Sequence, residues 1–98
     1  MLFAVLFEDN PTQAAELRRK HLPDHLRFLE KHKEWVVAAG PLVSAAGEAQ
    51  GGLWLVEAED RETVDRMVRE DPFWPTGLRK SVRISAWKQV FAEGRRQI

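Results

Sequence analysis

Four short apolar segments, separated in fixed order by two helical ones, restrict this chain more than any other feature. Leu2 to Phe7 is an unbroken apolar run that stops at Glu8-Asp9-Asn10-Pro11, which reads as a buried strand followed by a turn. Thr12 is placed to cap a helix that runs to about Glu34. A kink or break is expected in it near His21 to Leu22, because Pro23 has no amide hydrogen and crowds the preceding turn. Trp35 to Ala39 reads as a second strand ended by Gly40-Pro41, Ser44 to Gly51 as a hairpin loop, and Gly52 to Glu57 as a third strand. Asp60 can cap a second helix over Arg61 to Glu70, which Pro72 ends by pushing the residue before it out of the helical region. After a loop from Phe73 to Leu78, Ser81 to Phe91 forms a fourth strand, with Val82, Ile84 and Ala86 alternating against Arg83 and Ser85. Glu93 to Ile98 is expected to be a loose tail.

The order β-α-β-β-α-β predicts one α+β domain over residues 1–98 with a ferredoxin-like plan: a four-stranded antiparallel sheet with two helices on one face. The uncovered face of such a sheet should be polar. Here Leu2 to Phe7, Trp35 to Ala38 and Leu53 to Val56 are apolar on both faces. A second copy is the simplest cover, so a homodimer with sheets packed face to face is expected, a dimeric α+β barrel, with Trp54 on the open face.

Composition narrows the function. Fifteen basic and fifteen acidic residues cancel, which argues against nucleic acid as a partner. The absence of cysteine removes thiol nucleophiles, zinc-thiolate sites and disulfides. The first apolar run is too short for a signal-peptide core, and no segment approaches the ~20 apolar residues of a membrane span, so a cytoplasmic protein is expected.

Two residues stand where apolar ones belong. With His25 as the origin of a helix turning about 100° per residue, Leu29, Leu22 and Leu26 fall within about 100° on one side, and Asp24, Arg27, Lys31 and Glu34 lie opposite. His25 thus sits at the edge of the sheet-facing stripe. In the second helix Val64, Met67 and Val68 form the buried stripe, and Asp71 continues it. Each residue has a plain alternative: a core histidine bonded to a carbonyl, and a solvated turn aspartate. Adjacent helices on one sheet face make a His25–Asp71 contact geometrically open, and such a partner would make the imidazole a general base near neutral pH. His21, His25 and His32 share a face, but Pro23 disturbs their spacing and no metal is expected. Phe73 and Trp74 can wall a pocket beside Asp71. No Gly-rich phosphate loop or nucleophile elbow is present.

Taken in order, Asp24-His25-Leu26-Arg27-Phe28-Leu29, Ala39-Gly40-Pro41-Leu42, Asp71-Pro72-Phe73 with Gly77-Leu78, and Val82 to Lys88 with Trp87 resemble the motifs of the YciI-like (YCII-related) family along nearly the whole chain. The resemblance implies a dimeric α+β barrel with His25 and Asp71 as the catalytic pair. It also implies a small-molecule pocket to which Gly40, Pro41, Phe73 and Trp87 contribute. The arginine often found three residues before the histidine is Leu22 here, which leaves Arg18 or Arg19 as substitutes. The reading that follows is a cofactor-free enzyme doing acid–base chemistry, isomerisation or elimination, on a small organic acid or lactone. The alternatives are a non-catalytic metabolite-binding or structural dimer, and a haem- or oxygen-dependent enzyme of the same superfamily.

Overall fold

The computed structural model describes residues 1–98. Strands β1 (Leu2–Asp9), β2 (Val36–Val43), β3 (Ala49–Glu57) and β4 (Arg79–Ala86) form an antiparallel sheet in the order β2-β3-β1-β4. Helices α1 (Ala14–Lys31) and α2 (Arg61–Glu70) connect them, giving the ferredoxin-like α+β plan. None of the helices is long and apolar enough to cross a membrane.

Alternation along β1 divides the sheet. Phe3, Val5 and Phe7 are buried toward the helices beside Trp54 and Val56 of β3 and Ile84 of β4. Phe28 of α1 and Val64, Met67 and Val68 of α2 close the core over them. Leu2, Ala4, Leu6, Leu53 and Leu55 take the opposite parity and are half-buried on the face that no helix covers. Trp54 therefore does not sit on the open face as the sequence suggested: it pairs with Val5 on the helix side and is 2% exposed.

Several local expectations change. α1 runs unbroken through Pro23 and starts after Gln13, in left-handed geometry, rather than at a Thr12 cap. Pro23 lies on the exposed side of the helix, where water can take the carbonyl that its missing amide leaves free. β2 continues through Gly40-Pro41, because it is an edge strand and a proline there leaves no interior ladder bond unmade. β4 ends at Ala86. The expected loose tail is instead a hairpin, β5 (Phe91–Ala92) with β6 (Arg95–Arg96), turned by Glu93 at φ 54° and Gly94 at φ 78°. Two successive positive φ angles are what a tight hairpin turn requires.

Candidate active site

The site begins with a void. Beneath α1, the neighbouring positions of β2 and β3 are Ala39, Gly40, Pro41 and Gly52, too small to fill the space between helix and sheet. A cavity of about 250 Å³ results, at the end of the sheet where β1 carries Phe7 and Asp9. Leu22 and Leu26, expected to be buried against the sheet, overlook this cavity and are 41% and 46% exposed. His25 and Phe28 hold the buried centre of α1 instead, so His25 is not at the stripe's edge.

His25 and Asp71 come together. Nδ1 of His25 is 2.8 Å from Oδ1 of Asp71, with the two side chains 9% and 0% exposed. An ionised carboxylate only accepts, so Nδ1 carries the hydrogen and Nε2 of the neutral ring holds the lone pair. Nε2 has no protein partner and is not sealed from the cavity that His25 lines. The imidazole stacks on Phe73 at 4.2 Å between centroids and 23° between planes, and more distantly on Trp54. Asp71 caps the C-terminus of α2 in extended geometry, and its Oδ1 also accepts the Phe73 amide at 3.2 Å. It is thus a turn aspartate after all, but a buried one.

Three more charged residues belong to the site, and the sequence reading missed two of them. NH1 of Arg79 stands 2.7 Å from Oδ2 of Asp71, close enough for an ion pair but misaligned for a hydrogen bond. Its guanidinium lies 3.7 Å from the centroid of Phe7, with Trp54 and Phe73 also beneath it. Burial holds Arg79 below the usual arginine range, against the opposing pull of Asp71. Asp9 accepts both of its bonds from Arg18 NH2, at 2.9 and 2.7 Å. Of the two suggested substitutes for the missing arginine, Arg18 reaches the cavity, whereas Arg19 pairs with Glu16 in solvent.

Asp9 was legible in principle, since it continues the inward parity of Phe3, Val5 and Phe7. Arg79 was not. Its parity matches the outward Ser81 and Arg83, but a register shift between Glu8 and Asp9 sets Arg79 opposite Asp9 and turns it inward.

Gly40, Pro41 and Phe73 line the cavity. Trp87 does not. β4 runs antiparallel to β1, which puts Trp87 at the far end of the sheet, where its amide bonds the Leu2 carbonyl and its side chain is 44% exposed. His21 and His32 stand apart from the pair; His32 packs on Phe28 at 4.6 Å. No cluster of three His, Cys, Asp or Glu side chains is arranged to hold a metal ion.

Residues 1–88 match the family model of the YCII-related domain. The chain belongs to the YCII-related domain family. No curated protein matches this YCII-related chain significantly. Among solved structures, it is similar to 5-chloro-2-hydroxyhydroquinone dehydrochlorinase (TftG) from Burkholderia phenoliruptrix AC1100, in complex with 2,5-dihydroxybenzoquinone. The identity is 29% and the TM-score 0.81, over 90% of this chain and 94% of that one. A NIPSNAP family protein from Agrobacterium tumefaciens C58 shares 13% identity at a TM-score of 0.57, over 96% and 97% of the two chains. An antibiotic biosynthesis monooxygenase shares 15% at 0.52, over 92% and 99%. These two likenesses concern the fold alone.

Proposed function

We propose that this YCII-related domain is a cofactor-free cytoplasmic enzyme in which His25 moves a proton on a small ring or organic acid, and that it works as a homodimer. The observation that carries the reading is the His25 Nδ1–Asp71 Oδ1 bond of 2.8 Å, with Nε2 left to the cavity. Asp71 positions the imidazole; it does not itself face the substrate. With one base and no nucleophile beside it, the arrangement suits elimination or isomerisation. In elimination, Nε2 takes a proton from the substrate, the electron pair left behind forms the new double bond, and the leaving group departs as an anion with its bonding pair. In isomerisation the proton returns at another atom. Elimination is favoured, because the relative at 29% identity is a dehydrochlorinase whose complex holds a single-ring quinone.

The space agrees with one ring. A dry cavity of about 150 Å³ accommodates benzene, and this one measures about 250 Å³ with aromatic walls at Phe7, Trp54 and Phe73. Wild type, His25→Ala and Asp71→Asn are to be assayed against halogenated hydroquinones, lactones and unsaturated acids, with thermal melts in parallel. His25→Ala is expected to cost ~10²–10⁴ in rate while the fold persists, the usual consequence of removing a general base. Asp71→Asn should cost less activity, because the amide can still hold the ring, although in a less favourable tautomer. Turnover that survives unchanged in His25→Ala overturns the assignment. Saturable binding with no turnover of any substrate is the result expected of a metabolite-binding dimer.

A further inference from the structure

Arg79 is more than a brace for Asp71. Its side chain is 5% exposed, yet its closest approach to Asp71, by NH1 at 2.7 Å, is misaligned. A guanidinium carries five N–H donors in one plane, and those on Nε and NH2 of Arg79 have no hydrogen-bond partner within the protein. Nε and NH2 are not sealed off, and the residue lines the cavity. The guanidinium rests on the Phe7 ring, which holds it without using its donors. Arg18 differs, since both oxygens of Asp9 hold its NH2.

We propose that Arg79 is the specificity-determining residue of this cavity, taking up an ionised oxygen, phenolate or carboxylate, carried on a single-ring substrate. The inference rests on reading the cavity as the substrate site. Charge supports it. Asp9 cancels Arg18 and Asp71 cancels Arg79, so the cavity with a neutral imidazole sums to zero. A phenol enters as the acid and gives its O–H proton to Nε2 of His25, whereas a carboxylate, already ionised near neutral pH, binds together with a proton that Nε2 takes from solvent. With the phenol, the O–H bond breaks, an N–H bond forms, and the electron pair stays on oxygen. An anion then faces Arg79 while an imidazolium faces Asp71, and the total is again zero. No net charge is brought into a poorly solvated space, which would otherwise be costly. A planar fork of donors suits an oxyanion better than it suits a neutral carbonyl.

Benzoate and benzamide, nearly identical in shape and different in charge, test this by calorimetric titration. Wild type is expected to prefer benzoate by roughly tenfold or more, the scale of one hydrogen bond to a charged group. Arg79→Met would leave Asp71 buried without its cation, so the decisive variant is Asp71→Asn with Arg79→Met, which removes both charges. That double variant should lose the preference, while Asp71→Asn alone should keep or increase it. A thermal melt establishes that each variant is folded. A wild type that binds benzamide as well as benzoate, or a double variant that still prefers benzoate, overturns the inference. The two readings fail separately. A benzoate preference that requires Arg79 but accompanies no turnover defeats only the enzymatic reading. His25-dependent turnover without benzoate preference defeats only the role of Arg79.

Discussion

At Gly51 a Cβ would stand 2.2 Å from the Phe7 carbonyl oxygen, whereas at the adjacent Gly52 it would meet nothing nearer than 3.5 Å. The first glycine is there because β1 and β3 approach too closely for a side chain. The second is there because its place belongs to the cavity. Gly51→Ala is therefore expected to destabilise the fold, by about 1–3 kcal/mol for an overpacked site, read as a lower thermal midpoint. Gly52→Val should retain the wild-type midpoint or exceed it, since a β-branched residue suits a strand better than glycine. It should also abolish benzoate binding by filling the pocket. A Gly52→Val protein that binds normally would place the ligand elsewhere. Residue chemistry was legible where a side chain contradicted its periodic surroundings, as His25 and Asp71 do. It was illegible where the backbone departed from its period, as at Arg79, which strict alternation assigns to the open face. Nor could sequence show that Ala39, Gly40 and Gly52 lie side by side, since that depends on the pairing register of β2 with β3.

The two helices differ in how much of their position is written in local sequence. α2 has a cap that sequence alone identifies: Asp60 accepts the Thr63 amide at 2.8 Å and the Thr63 hydroxyl at 2.7 Å. Its apolar residues Val64, Met67 and Val68 are all buried as their spacing implies. α1 has no side-chain cap, and its interior proline is tolerated because that position faces solvent. Its existence depends on packing more than on its termini. The Thr63 hydroxyl, then the Thr63 amide, hold the Asp60 carboxyl below the ordinary aspartate range. A group whose pKa is lowered by folding stabilises above its unfolded value, and the contribution is lost as pH falls through the folded value. Asp60→Ala should accordingly lower the thermal midpoint at neutral pH, with the gap to wild type closing as the pH drops below the usual aspartate value of about 3.9. Asp60→Asn, which keeps an acceptor, should lose less. A gap that does not change with pH would show that the ionised cap is not the stabilising feature.

On the scale of the whole molecule, the chain exposes more surface than its mass implies. A monomer of 11.3 kDa should expose about 5,700 Å², while this one exposes 6791 Å² and buries only 17 of 98 residues. Its radius of gyration is 14.0 Å, against about 12.6 Å for a compact chain of this length. Part of the excess is the C-terminal hairpin, with Phe91 62% and Ile98 72% exposed. The rest includes the open sheet face, where Leu6, Leu53 and Leu55 lie side by side and the polar residues are Ser81, Arg83 and Ser85 of β4 with Glu8 and Glu57 at the strand ends. The apolar character of this face is legible in the residues of β1 and β3, although apolarity on both faces leaves their parity open and so puts the wrong residue, Trp54, on it. Leu53 is the better probe. It is paired with Leu6 on one side and Gly40 on the other, at the centre of the sheet and away from the helices. It is only half-buried in the protomer, so Leu53→Asp should not disturb the helix-side core. Wild type is expected to sediment as a dimer at micromolar concentration, with a thermal midpoint that rises with protein concentration. Leu53→Asp should shift the species toward monomer and remove that concentration dependence, either as a folded monomer or as a chain that no longer folds alone. A wild type that is monomeric at micromolar concentration, or a Leu53→Asp protein that still sediments as a dimer, would show that the open face is not where two copies meet.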